Sequence, residues 1–501
     1  MKTDSGPGRV TRRAVLGMFF AALLLVACPD QSSSRQFDLV ILGGRVMDPE
    51  SGLDAVRNVG ILDGTIAAIS ERELSGRAVL QAPNLVVAPG FIDLHVHGQD
   101  PVSNRFQAAD GVTTALELEL GVYPVQAWYA SREGKALINY GASVGHLAAR
   151  LKLMQGVDVG HLWNMPAERR RQLTGRDYAY RQATPEEVQE LVKLLQEGLE
   201  EGGLGLGLGI TYVPGASHQE ILRVFQAAAE SRVPVFVHLR SSKAYSDEGA
   251  VGPFQEVIAN AAITGASLHI VHLNSSADGS AKVCLEMVRG ARQRGVDVTT
   301  EAYPYTAGST RLESALFDSW TDYHNLQWVE TGERLTRETF EKYRRQGGWV
   351  IIHGRSEEMN EWIVGQPDVI VASDGIPFIE GRAHPRGAGT FSRILGYYSR
   401  ERQVLSLMEA IRKMTLLPAR RLEGMAPQMR RKGRLKVGAD ADLTLFDPES
   451  VLDRATYEKP DQYSAGIVHV LVGGTFVVRD SKLVEGVAPG QPIRSEPVSR
   501  N

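Results

Sequence analysis

Between residues 89 and 424 short apolar runs alternate with amphipathic segments, and this pattern restricts the folds open to the chain more than any other feature. Val233–Leu239, Ser267–Leu273 and Val369–Ser373 have the length and content of buried strands. Glu186–Leu199 and Gln219–Ser231 place their apolar residues at helical spacing. Strand–helix alternation over about 330 residues predicts an α/β architecture, a parallel (β/α)8 TIM-like barrel. Such a barrel carries its reactive side chains at the C-terminal ends of its strands. The flanking regions differ. Residues 37–88 hold Leu39-Val40-Ile41-Leu42 and Val59-Gly60-Ile61-Leu62, separated by Gly and Asp, which is strand-and-turn punctuation. The pattern returns in Asp442–Asp447, Val468–Val472 and Thr475–Val478. Both ends are therefore expected in one small β-sandwich domain, residues 37–88 plus 425–485, beside a barrel of residues 89–424.

The first 27 residues are unlike the rest. Lys2, Arg9, Arg12 and Arg13 precede the apolar run Ala14–Ala27. That run is shorter than the ~20 apolar residues of a membrane span, and a basic stretch before it is the mark of a secretory signal. Thr11-Arg12-Arg13-Ala14-Val15-Leu16 resembles a twin-arginine export signal. Leu25-Val26-Ala27-Cys28 resembles a bacterial lipobox, in which Cys28 becomes the lipidated first residue. The expectation is an exported bacterial lipoprotein, periplasmic or at the cell surface, held to the membrane only through Cys28. Losing residues 1–27 removes four basic residues and one acidic one, taking the net charge from −4 to −7. Neither value suggests a nucleic-acid partner. With Cys28 lipidated, Cys284 has no partner for an intrachain disulfide.

Polar residues that close apolar runs are the candidates for chemistry. Val86–Ile92 leads into Asp93-Leu94-His95-Val96-His97. Residues i and i+2 of a strand face the same way, so His95 and His97 can hold one ion together. Val235-Phe236-Val237 ends at His238, Leu268–Val271 at His272, and Val369–Ser373 at Asp374. Each alone has a bland reading, a hydrogen-bonded structural histidine or a turn aspartate. Together, in barrel order, they have the composition of a metal site. His269 competes with His272, but it lies three residues away, on the opposite strand face, and is expected to pack against helices. Ala115-Leu116-Glu117-Leu118-Glu119-Leu120-Gly121 puts two carboxylates on one strand face and leucines on the other. If the leucines face the helix layer, Glu117 and Glu119 point into the barrel, where a metal or a basic partner would offset their burial. The alternative is an edge strand with both carboxylates in water.

Taken together, these motifs resemble the amidohydrolase superfamily, and within it the N-acyl-D-amino-acid deacylase (D-aminoacylase) family. Pro89-Gly90-Phe91-Ile92-Asp93-Leu94-His95-Val96-His97 matches the superfamily's first-strand motif. Narrower matches are Gly205–Gly209 with Ile210-Thr211-Tyr212-Val213-Pro214-Gly215, Tyr303–Thr310, Ser373-Asp374-Gly375, His384-Pro385-Arg386 and Gly389–Gly396. Lys413-Met414-Thr415, Pro418-Ala419 and Gly438–Leu443 complete a resemblance that covers roughly residues 37–485. It implies Zn2+, one or two ions. His95, His97 and Asp374 would hold one position, and His238 and His272 the second. Asp374 would also be the general base. Tyr212, Tyr303, Ser309 and Arg386 would contact a small-molecule substrate, with Arg386 gripping its carboxylate. The family's metal-binding Cys at the end of the second strand is absent, and Leu120 aligns with it. Glu119 is the first choice as substitute ligand and Glu117 the second. Leu204–Tyr212 also lacks a Lys that could be carboxylated. The implied activity is hydrolysis of the linear amide of N-acyl-D-amino acids. A dipeptidase, a cyclic-amide hydrolase or a non-catalytic surface binding lipoprotein remain as alternatives.

Overall fold

The structure, a computed structural model, describes residues 36–165, 176–241 and 249–496. The export and lipobox features at residues 1–28 lie outside the described residues. The chain begins with β1 (Phe37–Asp48), β2 (Leu53–Leu62), β3 (Thr65–Ser70), β4 (Gly76–Gln81) and β5 (Val86–Pro89). β1 pairs antiparallel with β2 and parallel with β4 and β5.

The central alternation forms β6 (Phe91–Asp93), β7 (Val112–Val122), β8 (Asn139–Gly145), β9 (Leu206–Gly209), β10 (Val235–His238), β11 (Leu268–Ile270) and β12 (Val298–Ala302). Short runs buried on both faces are stable only in a parallel sheet covered by helices. The helices supply that cover. Pro185–Glu200 opens with a capping box, in which Thr184 and Glu187 satisfy each other's backbone N–H, and buries Val188, Leu191, Leu195 and Leu199 at helical spacing. Each fully buried leucine contributes roughly 1.5–3 kcal/mol over leaving it exposed. Between β12 and the last barrel strand the chain inserts β13 (Gly308–Arg311), β14 (Leu326–Trp328) and β15 (Trp349–Ile352). They form an antiparallel sheet in the order β13-β15-β14, around a core that includes Phe317, Trp328 and Phe340. The barrel reading of residues 89–424 contained no such layer.

β16 (Val369–Val371) completes an eight-stranded sheet in the order β16-β12-β11-β10-β9-β8-β7-β6. Its two ends meet. His97 and Gly98 donate their N–H groups to the Gly375 carbonyl at 2.8 and 3.0 Å, and the Asp374 N–H donates to the His95 carbonyl at 2.7 Å. This seam brings residues 95–97 beside residue 374.

The chain then returns through β17 (Leu443–Phe446), β18 (Ile467–Val472), β19 (Thr475–Arg479) and β20 (Lys482–Leu483). β17 pairs with β5, so strands from both ends join in one nine-stranded sheet. Strand alternation assigns its two faces. Val87, Leu443, Leu445 and Leu471 share a core with Ile41 and Val59, while Val86, Ala88, Val470 and Val472 pack with Phe91 and Val112 of the barrel. Cys284 is a free, buried thiol. No helix among the described residues is long and apolar enough to cross a membrane.

Candidate active site

β7 carries the residue around which the site is built. All eleven of its residues are buried, because neighbouring strands and helices cover both faces. Leu116, Leu118 and Leu120 pack in the main core, which leaves Glu117 and Glu119 facing inward. The pairing of β7 with β8 jumps from Glu117↔Ala142 to Val122↔Val144, a bulge that re-aims the side chains between them. Gly121 closes the bulge at φ +63°, and a Cβ there would lie 2.6 Å from the Gly145 nitrogen. A side chain would therefore have no room.

Glu119 touches four histidines. Its Oε1 is 2.6 Å from His238 Nδ1 and 3.0 Å from His272 Nε2. Its Oε2 is 3.3 Å from His95 Nε2 and 3.2 Å from His97 Nε2. Asp374 Oδ1 stands 3.4 Å and 3.5 Å from the same two Nε2 atoms. Two residues in this group sit on left-handed backbone, His272 at φ +33° and Asp374 at φ +53°. Such conformations cost of order 1–3 kcal/mol in non-glycine residues and are found where function requires them.

Glu117 occupies a different place. Its Oε2 lies 2.7 Å from His97 Nδ1 and 2.5 Å from His161 Nε2. It therefore meets the nitrogen of His97 that faces away from Glu119. Glu301 does the same for His95, with Oε1 at 2.6 Å from Nδ1. Carboxylates on the far nitrogen fix the ring and its tautomer, leaving Nε2 as the lone pair. The contacts favour Glu119 over Glu117 as the inward carboxylate. His269 departs from expectation. It is not among the helices but beside Glu301, Nε2 to Oε2 3.0 Å, with its Nδ1 2.7 Å from Thr299 Oγ1. β11 ends at Ile270, so His272 has already left the strand and alternation does not relate the two histidines.

Burial opposes charge on Glu119, yet His95 and His238 hold its carboxyl well below the usual range. Burial likewise opposes charge on Asp374, and Arg386 and His95 overcome it. Glu301 is held down to about 2, His95 and His269 outweighing its burial. Burial, then His238, pushes His272 down, which keeps its imidazole neutral. Buried anions of this density require cations at the same point. His95 Nε2 is buried with no hydrogen-bond partner. Four imidazoles, two inward carboxylates and an orphaned nitrogen fit a zinc-type ion, which takes N and O ligands. Glu117→Gln and Glu301→Gln should each weaken metal affinity about 10- to 100-fold without removing a ligand. Competition with a chromogenic chelator measures this, and unchanged affinity in both variants would remove their positioning role.

A cavity of about 760 Å3 opens over this cluster. Tyr212, Tyr303 and Ser309 line it together with His238, His272 and Asp374. The Tyr212 hydroxyl is 3.0 Å from Thr310 Oγ1, and its ring lies against His238. Ser309 donates its hydroxyl to the Val350 carbonyl at 2.9 Å. Arg386 is 1% exposed and is the first residue of the helix Arg386–Arg393. Its Nη2 is 2.9 Å from Asp374 Oδ1, while Nε and Nη1 are buried without partners. The sequence reading missed Glu301, His161, Trp163 and Arg355. Glu301 closes the run Val298–Ala302 and was within reach of the strand-end filter. His161 and Arg355 stand in loops and Trp163 in a single 3-10 turn, none of which has a period to read.

The Amidohydrolase family profile matches residues 78–478. The chain belongs to the amidohydrolase family. Among curated proteins it is 31% identical over 490 residues to the N-acyl-D-glutamate deacylase of Alcaligenes xylosoxydans xylosoxydans, covering 88% of this chain and 94% of that one. It is 28% identical over 500 residues to the D-aminoacylase of the same organism, covering 89% of this chain and 96% of that one. The crystal structure of the Bordetella bronchiseptica N-acyl-D-glutamate deacylase, complexed with zinc and a phosphonate inhibitor, superposes with a TM-score of 0.77 at 27% identity. That match covers 92% of this chain and all of the other. The barrel and the terminal β sheet of this chain thus belong to an amidohydrolase architecture, as the first-strand histidine motif implied.

Proposed function

We propose that this amidohydrolase cleaves the amide bond of N-acyl-D-amino acids, releasing a carboxylate and a free D-amino acid, with zinc as its metal. The observation that carries the reading is the convergence of His95, His97, His238 and His272 on Glu119, with Asp374 against His95 and His97 and Arg386 against Asp374. The D-aminoacylase and N-acyl-D-glutamate deacylase relatives support the substrate class. The zinc in the Bordetella structure supports the metal.

His95, His97 and Asp374 would hold one ion, and His238 and His272 a second, with Glu119 reaching both sets. Bound zinc supplies Lewis acidity, lowering the pKa of water and polarising an amide carbonyl. Asp374 is the proton carrier. Arg386 and His95 keep it in the base form, so it can accept a proton from the attacking water. It returns that proton to the amide nitrogen as the C–N bond breaks, which makes the amine a competent leaving group. Arg386 has two buried N–H groups without a partner, and a substrate carboxylate that reached them would satisfy both. The Tyr212, Tyr303 and Ser309 side chains shape the rest of the cavity.

The test is a panel of N-acetyl-D-amino acids, their L enantiomers, dipeptides and cyclic amides, assayed with zinc-loaded enzyme. Turnover of the D-N-acyl compounds at least about 100-fold above the others is expected, since a misoriented scissile bond loses the proximity advantage. A preference for L compounds, dipeptides or rings would replace the reading. Zinc-loaded protein inactive on every member would leave only a binding role. The leader at residues 11–28 supports export and lipidation at Cys28, which mass spectrometry of the membrane-extracted protein would check.

A further inference from the structure

The cavity wall carries a guanidinium that nothing in the proposed reaction uses. Arg355 follows β15 and lines the cavity wall. Its backbone is anchored, the N–H donating to the Thr306 carbonyl at 3.2 Å. Its side chain makes no ion pair or hydrogen bond among the described residues, and its Nη1 is buried without a partner. Tyr303 lies against both arginines. Arg386 lies 4.6 Å and Arg355 5.8 Å from the centre of its ring. The Tyr303 hydroxyl is also buried and unpartnered. Tyr303 is itself held in place, because Asn274 Nδ2 donates to its carbonyl at 2.9 Å.

Gly308 lies beside the Arg355 and Tyr303 donors. A Cβ on Gly308 would lie 3.0 Å from Arg355 Nη2, 3.1 Å from Nη1 and 3.0 Å from the Tyr303 hydroxyl. Two guanidinium nitrogens and a phenol oxygen thus meet beside one glycine on the cavity wall, where any side chain would crowd them. Buried donors left unpaired are costly, so a donor cluster of this kind asks for an acceptor. A planar guanidinium edge matches a carboxylate, which accepts two parallel hydrogen bonds. The substrate offers one carboxylate to Arg386, the residue beside Asp374 and so nearest the scissile bond. The α-carboxylate fits that place, since its carbon is one bond from the leaving nitrogen's carbon. A carboxylate on the amino-acid side chain lies one or two carbons further out, toward the wall that carries Arg355.

We propose that Arg355 and the Tyr303 hydroxyl form a second carboxylate subsite, and that the preferred substrates are N-acyl derivatives of the acidic D-amino acids. This inference rests on the deacylase reading of the same site.

N-acetyl-D-glutamate and N-acetyl-D-glutamine have the same shape and differ by one charge, so their kcat/KM ratio reads the subsite. The native zinc-loaded enzyme should favour the glutamate compound at least about 30-fold. Arg355→Met should bring the ratio to within a few fold, and Arg355→Lys should restore part of it. Zinc content and melting temperature of both variants report whether they fold. A native ratio near one overturns the proposal whether or not the variants fold. Equal loss on both substrates in Arg355→Met overturns it too, because Arg355 would then be serving the α-carboxylate. A preference for N-succinyl over N-acetyl groups on D-leucine would place the second carboxylate on the acyl side and also overturn it. Binding of the same two compounds to zinc-loaded Asp374→Asn protein separates this inference from the reading beneath it. If native enzyme turns over neither compound, the deacylase reading fails. The subsite then stands on at least tenfold tighter binding of the glutamate compound and falls on equal binding.

Discussion

Replacing Asp374 by Asn is expected to lower kcat by about 1,000-fold or more, at the upper end of what a positioned acid–base group contributes. The substitution keeps the size and planarity of the side chain and removes only its capacity to carry a proton. The backbone at Asp374 is tied into the barrel seam by the bond from its N–H to the His95 carbonyl, so the loop should hold its course. His95, His97, Glu119, His238 and His272 all remain, and more than half of the zinc should be retained. Steady-state kinetics on an N-acetyl-D-amino acid, run beside elemental analysis of the same sample, separates the two roles. Near-normal turnover would end the proton-carrier assignment. Loss of rate in step with loss of zinc would reduce Asp374 to a ligand.

The second large effect is expected at Glu119. Its carboxylate is within 3.3 Å of a nitrogen on each of His95, His97, His238 and His272, and among the described residues no other side chain is recorded against all four. Glu119→Ala leaves four imidazoles around a void with only Asp374 to balance a cation. Zinc stoichiometry should fall by at least half and kcat by about 1,000-fold, since the Lewis acid goes with the metal. Glu119→Asp keeps the charge but withdraws it by one methylene, and should recover part of the zinc. Full stoichiometry in Glu119→Ala would show that the histidines hold the metal without it. In that case the short contacts to His238 and His272 would be ordinary hydrogen bonds.

Much of this was legible because strand periodicity is a short-range property. His95 and His97 sit two residues apart in an extended segment, so their shared direction follows from backbone geometry. Glu117 and Glu119 follow the same rule, and the leucines between them identify the buried side. The rule does not reach past the end of a strand. It misplaced His269, because the chain turns at His272 through left-handed backbone that no local pattern announces. It also could not divide the work between Glu117 and Glu119. The bulge after Glu117 and the imidazole of His161, which arrives from a loop, make that division. The inserted sheet β13–β15 went unread because Gly308–Arg311 and Leu326–Trp328 are not the apolar runs by which the equally short barrel strands were found.

The sequence by itself determined the alternation of strands and helices, the histidine pair that begins the site, and the strand ends from which the other inward residues come. These depend on neighbours in the chain, and the burial of apolar residues enforces them locally. Only the tertiary structure decided which of those residues meet. Closure of the barrel carries Asp374 to His95 and His97. Docking of the helix Arg386–Arg393 makes Arg386 the buried partner of Asp374. Folding of the insert brings Arg355 to Tyr303. Each of these contacts joins residues far apart in the chain. Taking charge and donors out of water costs energy, and only partners brought together from several segments offset that cost.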